Sequence, residues 1–191
     1  MMDEQVLLVG GTEKSRALLQ ALVPPGSCAM SRMCQSGSEA RRLRNEADWS
    51  LILINTPLND ESGLELAMEL AEQTMAAVLL LVKAELADTV MARVEQSGVM
   101  VVAKPVSRPL FEQAERFAMA ARNRLTALHA ENERLEKKLA EQRLIDRAKC
   151  VLIQYLGMTE QQAHRHIEKQ AMDTRQTKSV VARNILSTYE M

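Results

Sequence analysis

A doubly wound α/β domain of five strands, a long coiled-coil helix and a small all-α bundle of three helices, in that order, are what this sequence predicts. Three observations carry the prediction. Up to about residue 108, short and almost wholly apolar runs alternate with amphipathic stretches, the pattern of parallel strands covered by helices on both faces. From residue 110 to 156 there is neither glycine nor proline, and Ala, Leu, Glu, Arg and Lys dominate, so one continuous helix is expected. Beyond Gly157, apolar residues return at helical spacing in two short segments. The expected boundaries are 1–108, 109–141 and 142–191.

Taken in order, VLLVG (6–10) is the first strand and SRALLQALV (15–23) a helix ended by Pro24-Pro25-Gly26. CAMSRMC (28–34) makes a second strand and SGSEARRLRNE (36–46) a second helix. LILIN (51–55) is a buried strand that runs through a short loop into a helix starting near Gly63. AAVLLLV (76–82) is the fourth strand, ELADTVMARVEQSG (85–98) a helix closed by its glycine, and VMVVA (99–103) the fifth strand. In open α/β sheets, ligands and chemistry gather at the carboxyl ends of the strands. Asn55 stands at such an exit, and its amide is neutral.

Along the glycine-free stretch, Phe111, Ala114, Ala118, Ala121, Leu125, Leu128, Asn132, Leu135 and Leu139 fall alternately three and four residues apart. That is a heptad a/d seam, ended by the polar Gln142. Asn132 occupies an a position, where a single Asn sets register and two-strandedness by pairing with its symmetry mate. A parallel homodimer through Leu125, Leu128, Asn132, Leu135 and Leu139 is therefore expected. The alternative, a helix packed only on its own domain, is disfavoured because the seam outlasts what a small sheet covers. TEQQ (159–162) has the form of a capping box opening the next helix. DTRQT (173–177) is a polar turn, and TKSVVARNILSTY makes the last helix. Ala163, Ile167, Ala171, Val181, Ile185 and Leu186 face inward in a bundle too small to hold a catalytic cleft.

Composition narrows the function classes. Aromatics supply 3% of residues against a hydrophobic fraction of 47%, so the core is aliphatic. The net charge of −1 does not advertise nucleic acid. The charge is unevenly spread, however: residues 1–110 hold 10 Lys/Arg against 14 Asp/Glu, and residues 141–191 hold 8 against 6. Cys28, Cys34 and Cys150 match no metal spacing and read as reduced thiols. MMDEQVLLVG is too acidic for a signal peptide, and no apolar run approaches the roughly 18 residues of a membrane span. A cytoplasmic protein is expected.

The first 108 residues resemble a response-regulator receiver domain. The resemblance rests on the order of five strands, on the strand-exit loop followed by Gly63-Leu64-Glu65, and on Lys104-Pro105 ending the fifth strand in VVAKPVSRPL. It implies a phospho-acceptor at Asn55, an acidic Mg²⁺-binding pair at Gly10-Gly11, a hydroxyl at Val82 and a lysine at Lys104, with a cis bond before Pro105. Of these only Lys104 keeps the required chemistry. An amide forms no acyl phosphate, two glycines offer no hard oxygen ligands of their own, and valine binds no phosphoryl oxygen. A phosphorylation-dead pseudo-receiver is expected, with no metal and no cofactor. Lys104 then either reaches solvent or hydrogen-bonds Asn55 or Thr56, or it belongs to a pocket for a non-phosphate ligand or a partner protein.

The last fifty residues resemble an ANTAR domain, the RNA-binding module of transcription antiterminators. The resemblance rests on Arg147-Ala148-Lys149, Gly157-Met158-Thr159-Glu160, Ala163, Ala171-Met172 and Val181-Ala182. Cys150 and His164 depart from it, standing where a glycine and an aromatic are common. The whole arrangement is similar to the amide-operon antiterminator type. It implies leader-RNA hairpins as the partner, held so that an intrinsic terminator cannot form beside a transcribing RNA polymerase. It also implies control by a regulatory sensor or sequestering protein instead of phosphate.

Specific RNA recognition favours unpaired bases reached by stacking and hydrogen bonds, with Lys and Arg on phosphates. Arg147, Lys149, Arg165, Lys169, Arg175 and Lys178 supply the cations, joined by Arg143 and Arg183. His164 or Tyr155 would stack on a base. Each of these has a plainer alternative as an ordinary surface or packing residue. Two other classes compete: a DNA-binding response regulator reading bases through TKSVVARN, and a protein-only adaptor working through the coiled coil. No Ser/His/Asp, Cys/His or metal constellation supports an enzyme.

Overall fold

The computed structural model describes residues 4–24 and 28–189. It contains two compact units, the first ending at Ala127 and the second beginning at Leu128. In the first, β1 (Gln5–Gly10), α1 (Glu13–Leu22), β2 (Met30–Cys34), α2 (Gly37–Leu43), β3 (Leu51–Asn55), α3 (Leu64–Gln73), β4 (Ala77–Lys83), α4 (Ala84–Val94) and β5 (Met100–Lys104) alternate strictly. The five strands form one parallel sheet in the order β2-β1-β3-β4-β5. This is the doubly wound arrangement that the apolar runs predict. Pro25 and Gly26, expected to end the first helix, lie outside the described residues.

The apolar runs are explained by what covers them. Because side chains alternate along a strand, Ile52, Ile54, Val78, Leu80 and Val82 enter one core with Ala40, Leu66, Leu70 and Ala87 of α2, α3 and α4. Leu51, Leu53, Leu79 and Leu81 enter the other with Leu19 and Leu22 of α1 and with Phe111 and Ala118. With both faces covered, β3 is buried at every residue, and β4 at all but its last.

Helix starts follow local chemistry. α1 begins two residues before the expected start, because Thr12 accepts a hydrogen bond from the Ser15 amide and caps it. α3 is preceded by Gly63 at its N-cap, whose φ of 88° lies in the left-handed region open to glycine.

One helix, α5 (Arg108–Leu156), runs through the whole glycine-free stretch. Its first turns correct the seam reading. Phe111 is 1% exposed and Ala118 7%, both in the sheet core, and Ala114 packs against them. These positions serve the first unit itself. Further on, Leu125 (59% exposed), Leu128 (60%), Leu135 (52%) and Leu139 (52%) are open in the single chain, as is Asn132.

In the second unit, Gly157 ends α5 at φ 64°, and its amide donates to Ile153 O. α6 (Glu160–Thr174) opens with a complete capping box: Thr159 accepts from the Gln162 amide, and the Gln162 side chain accepts from the Thr159 amide. α7 (Lys178–Tyr189) completes the bundle. Ala163, Ile167, Ala171, Val181, Ile185 and Leu186 are all buried, together with Ala148, Val151 and Leu152. Among the described residues no helix is long and apolar enough to cross a membrane.

Candidate functional site

Two places need building up: the strand exits of the sheet and the surface of the C-terminal bundle. At the sheet, Gly10, Asn55 and Leu81 lie side by side in register across β1, β3 and β4. Asn55 is 4% exposed. Lys104 Nζ donates to Asn55 Oδ1 at 2.9 Å and to the Thr56 carbonyl at 2.5 Å. The amide of Asn55 in turn reaches Ser15 O at 3.5 Å. Lys104 is thus spent on the third strand's exit, as in the first of its two alternatives. Burial lowers its pKa, and the neighbouring Lys83 charge lowers it further.

Lys83 corrects the assignment of Val82. Val82 is 2% exposed and packs in the core beneath α3 and α4. Alternation places its successor, Lys83, on the face shared by Asn55 and Lys104, and Lys83 stands opposite Lys104 in register. The strand exit therefore carries a second cation where a hydroxyl was sought. A one-residue error in counting along a strand moves a side chain to the other face.

Gly10 and Gly11 are occupied ground. A Cβ on Gly10 would come within 2.8 Å of Ser15 Oγ, and one on Gly11 within 2.7 Å of Asn59 Oδ1 and 2.9 Å of the Asn59 backbone nitrogen. The loop carrying Asn59 is held by its neighbours. Asp60 accepts from the Gly37 and Ser38 amides, which pull its carboxyl down to about 2, and Glu61 pairs with Arg41. An acidic side chain at residue 11 has no room unless this loop moves. Among the described residues no group of carboxylates, histidines or cysteines is arranged to hold a metal ion.

At the bundle, the predicted cations divide into two kinds. Lys149 sits between Asp146 (2.8 Å) and Glu160 (3.4 Å), and the hydrogen bond to Asp146 raises its pKa. Lys178 pairs with Glu168, whose other neighbour is His164 at 3.2 Å. The Lys149–Glu160 and Lys178–Glu168 pairs link α6 to α5 and to α7, while His164 and Glu168 stand one turn apart on α6 itself. Arg165 and Lys169 stand one turn apart on α6, and both are exposed. Arg175 is the C-cap of α6 and the one non-glycine residue of positive φ among the described residues. Arg165, Lys169 and Arg175 enter no ion pair among the described residues. The Tyr155 ring lies 5.5 Å from that of Tyr189 and is 57% exposed. Arg147 is engaged in an interaction of its own.

Residues 133–186 match the model of the ANTAR domain. Over 153 residues the chain is 31% identical to the transcriptional regulatory protein PdtaR of Mycobacterium tuberculosis (strain CDC 1551 / Oshkosh), covering 80% of this chain and 74% of that protein. Among solved structures it is similar to the signal receiver domain of an HD domain-containing protein from Pseudomonas fluorescens Pf-5. That match has a TM-score of 0.56 at 20% identity, over 70% of this chain and 95% of the other. It is also similar to a response regulator receiver domain protein from Clostridium thermocellum, with a TM-score of 0.56 at 16% identity, over 64% of this chain and 98% of the other. At these identities the structural likeness concerns the fold alone.

Proposed function

The chain belongs to the ANTAR family of antitermination-type transcriptional regulators with a receiver-like N-terminal domain, and we propose that it acts as an RNA-binding antiterminator whose receiver is not phosphorylated. In this reading the C-terminal bundle holds hairpins of nascent leader RNA, and an intrinsic terminator downstream fails to form. The exposed leucines of α5 join two copies about Asn132, so each dimer presents two bundles. Two tethered weak sites gain affinity through effective concentration, which suits a leader carrying a pair of hairpins. Action on nascent RNA places the protein in the cytoplasm and makes it a regulator, with no reaction of its own.

The observation that carries the receiver half is the tie between Lys104 and Asn55 beside a closed Gly11. An amide already bonded to the lysine offers no oxyanion to a phosphoryl donor, and Asn59 occupies the space that a side chain at residue 11 would need. Control then falls to another partner, a sensor or a sequestering protein. For the RNA half the carrying observation is the family match over residues 133–186, which begins within the seam and takes in α6 and most of α7.

The test is equilibrium binding of the full chain to a pool of RNAs, each with two short hairpins of randomised loops, against duplex DNA of equal length. Salt must be held and stated, because phosphate contacts make affinity fall steeply with it. Selection of particular loops with strong preference over duplex DNA is expected. Equal and weak binding to both would refute the reading and return the adaptor hypothesis to first place.

A further inference from the structure

The end of α5, α6 and α7 enclose a groove of about 320 Å³ on the second unit. Leu152, Val181 and Ile185 give it an aliphatic floor, and Tyr189 lines it as well. Its polar lining includes His166, Gln170 and Asn184, whose side chains form no hydrogen bond among the described residues. No carboxylate lines it. We propose that this groove receives one unpaired nucleobase of the bound RNA and reads its edge through His166, Gln170 and Asn184, with Arg175 at the rim on the adjoining phosphate. The proposal rests on the RNA-binding reading above.

The chemistry favours a base over other small groups. Two amides and an imidazole each donate and accept, which matches a base edge carrying donors and acceptors side by side. An anionic ligand would call for a cation inside the groove, and none lines it. The floor is apolar, as the face of a planar ring requires, and the volume is in the range of small-ligand sites. Arg175 supplies a second, independent observation. It holds a left-handed backbone, φ 53°, between Thr174 and Gln176, both of which line the groove. Glycine fits that conformation without cost, whereas an L side chain there is strained and persists when its surroundings or its function demand it. A strained arginine beside an uncharged groove places a cation where the phosphate next to an inserted base would lie.

The experiment takes the tightest double-hairpin RNA from the selected pool and replaces each loop nucleotide in turn with an abasic one. Binding is measured for the full-length protein and for His166→Ala, Asn184→Ala and Arg175→Gly. One loop position is expected at which the abasic change weakens wild-type binding about 10–100-fold, the worth of one base contact. At that position the same change adds almost nothing in Asn184→Ala, because the contact is already gone. Arg175→Gly is expected to lower affinity and reduce the slope of log affinity against log salt by about 1. Its thermal midpoint holds or rises, since the backbone strain is relieved, so misfolding does not account for the loss. Groove variants that keep wild-type affinity and the wild-type abasic profile would overturn the groove while leaving the RNA-binding reading intact. A wild-type chain with no preference for hairpin RNA would overturn both.

Discussion

Shortening one leucine of the exposed seam tests the dimer quantitatively. Leu135 is 52% exposed in the single chain, so about half of its side chain is available to a partner helix. Burying a leucine fully stabilises by roughly 1.5–3 kcal/mol, and the open half of Leu135 accordingly holds roughly 1 kcal/mol. In the proposed dimer a two-fold axis brings two copies of Leu135 together, so Leu135→Ala is expected to cost about 2 kcal/mol per dimer. At about 1.4 kcal/mol per tenfold, the dimer dissociation constant rises by roughly 30-fold. Alanine is the best helix former, so α5 itself is not weakened. Sedimentation equilibrium across a concentration series reads the change directly. Coincident dissociation constants for wild type and Leu135→Ala would refute the seam, as would a wild-type chain that stays monomeric throughout. Asn132→Leu serves as the companion variant. The protein is expected to stay associated with a changed number of chains by light scattering, and a monomer would contradict the assignment.

Lys104→Ala leaves the buried Asn55 Oδ1 without its donor and is expected to destabilise the N-terminal unit by about 1–3 kcal/mol in urea unfolding. RNA affinity should stay nearly unchanged, and a large loss would mean that the strand exits communicate with the bundle. Asn55→Asp restores a carboxylate beside Lys104 but not the acidic pair at Gly10 and Gly11. Incubation with a small-molecule phosphodonor and Mg²⁺ is expected to leave the variant unlabelled, and stable labelling would contradict the closed pocket.

Glu115 is buried with no hydrogen-bond partner for Oε1 among the described residues, and burial, then Glu4 and Glu112, raise its pKa. The native state then binds more protons than the unfolded chain, so stability falls as pH rises from the ordinary glutamate range through the raised value. Glu115→Gln is expected to flatten that fall, and unfolding midpoints with the same pH slope in both proteins would refute the assignment.

Much of the architecture was legible because it is local. Five apolar runs between amphipathic stretches specify a sheet covered on both faces, since nothing else buries both sides of a strand. The absence of glycine and proline specifies one long helix. Gly157 and the Thr159–Gln162 box mark where it stops and the next begins, because caps are written in adjacent residues. Asn55, Gly10 and Gly11 were placed by the resemblance to receiver domains, and residue chemistry then says that none of the three offers a carboxylate.

The structure decided what depends on residues far apart in the chain. The seam spacing at Phe111 and Ala118 is the same as at Leu128 and Leu135, yet the first pair is buried on the sheet and the second is open. A heptad pattern states which residues share a face and is silent on what meets that face. Val82 and Lys83 differ by one position, and only the strand's pairing with Lys104 says which of them looks toward Asn55. Nothing in the sequence says that Lys149 and Lys178 meet Glu160 and Glu168, eleven and ten residues away, and only folding brings them together. His166, Gln170 and Asn184 carried no signal in the sequence at all. An amide or imidazole on a helix is ordinary by itself, and the three become a candidate site because packing of α5, α6 and α7 sets them around one groove, with no hydrogen-bond partner among the described residues.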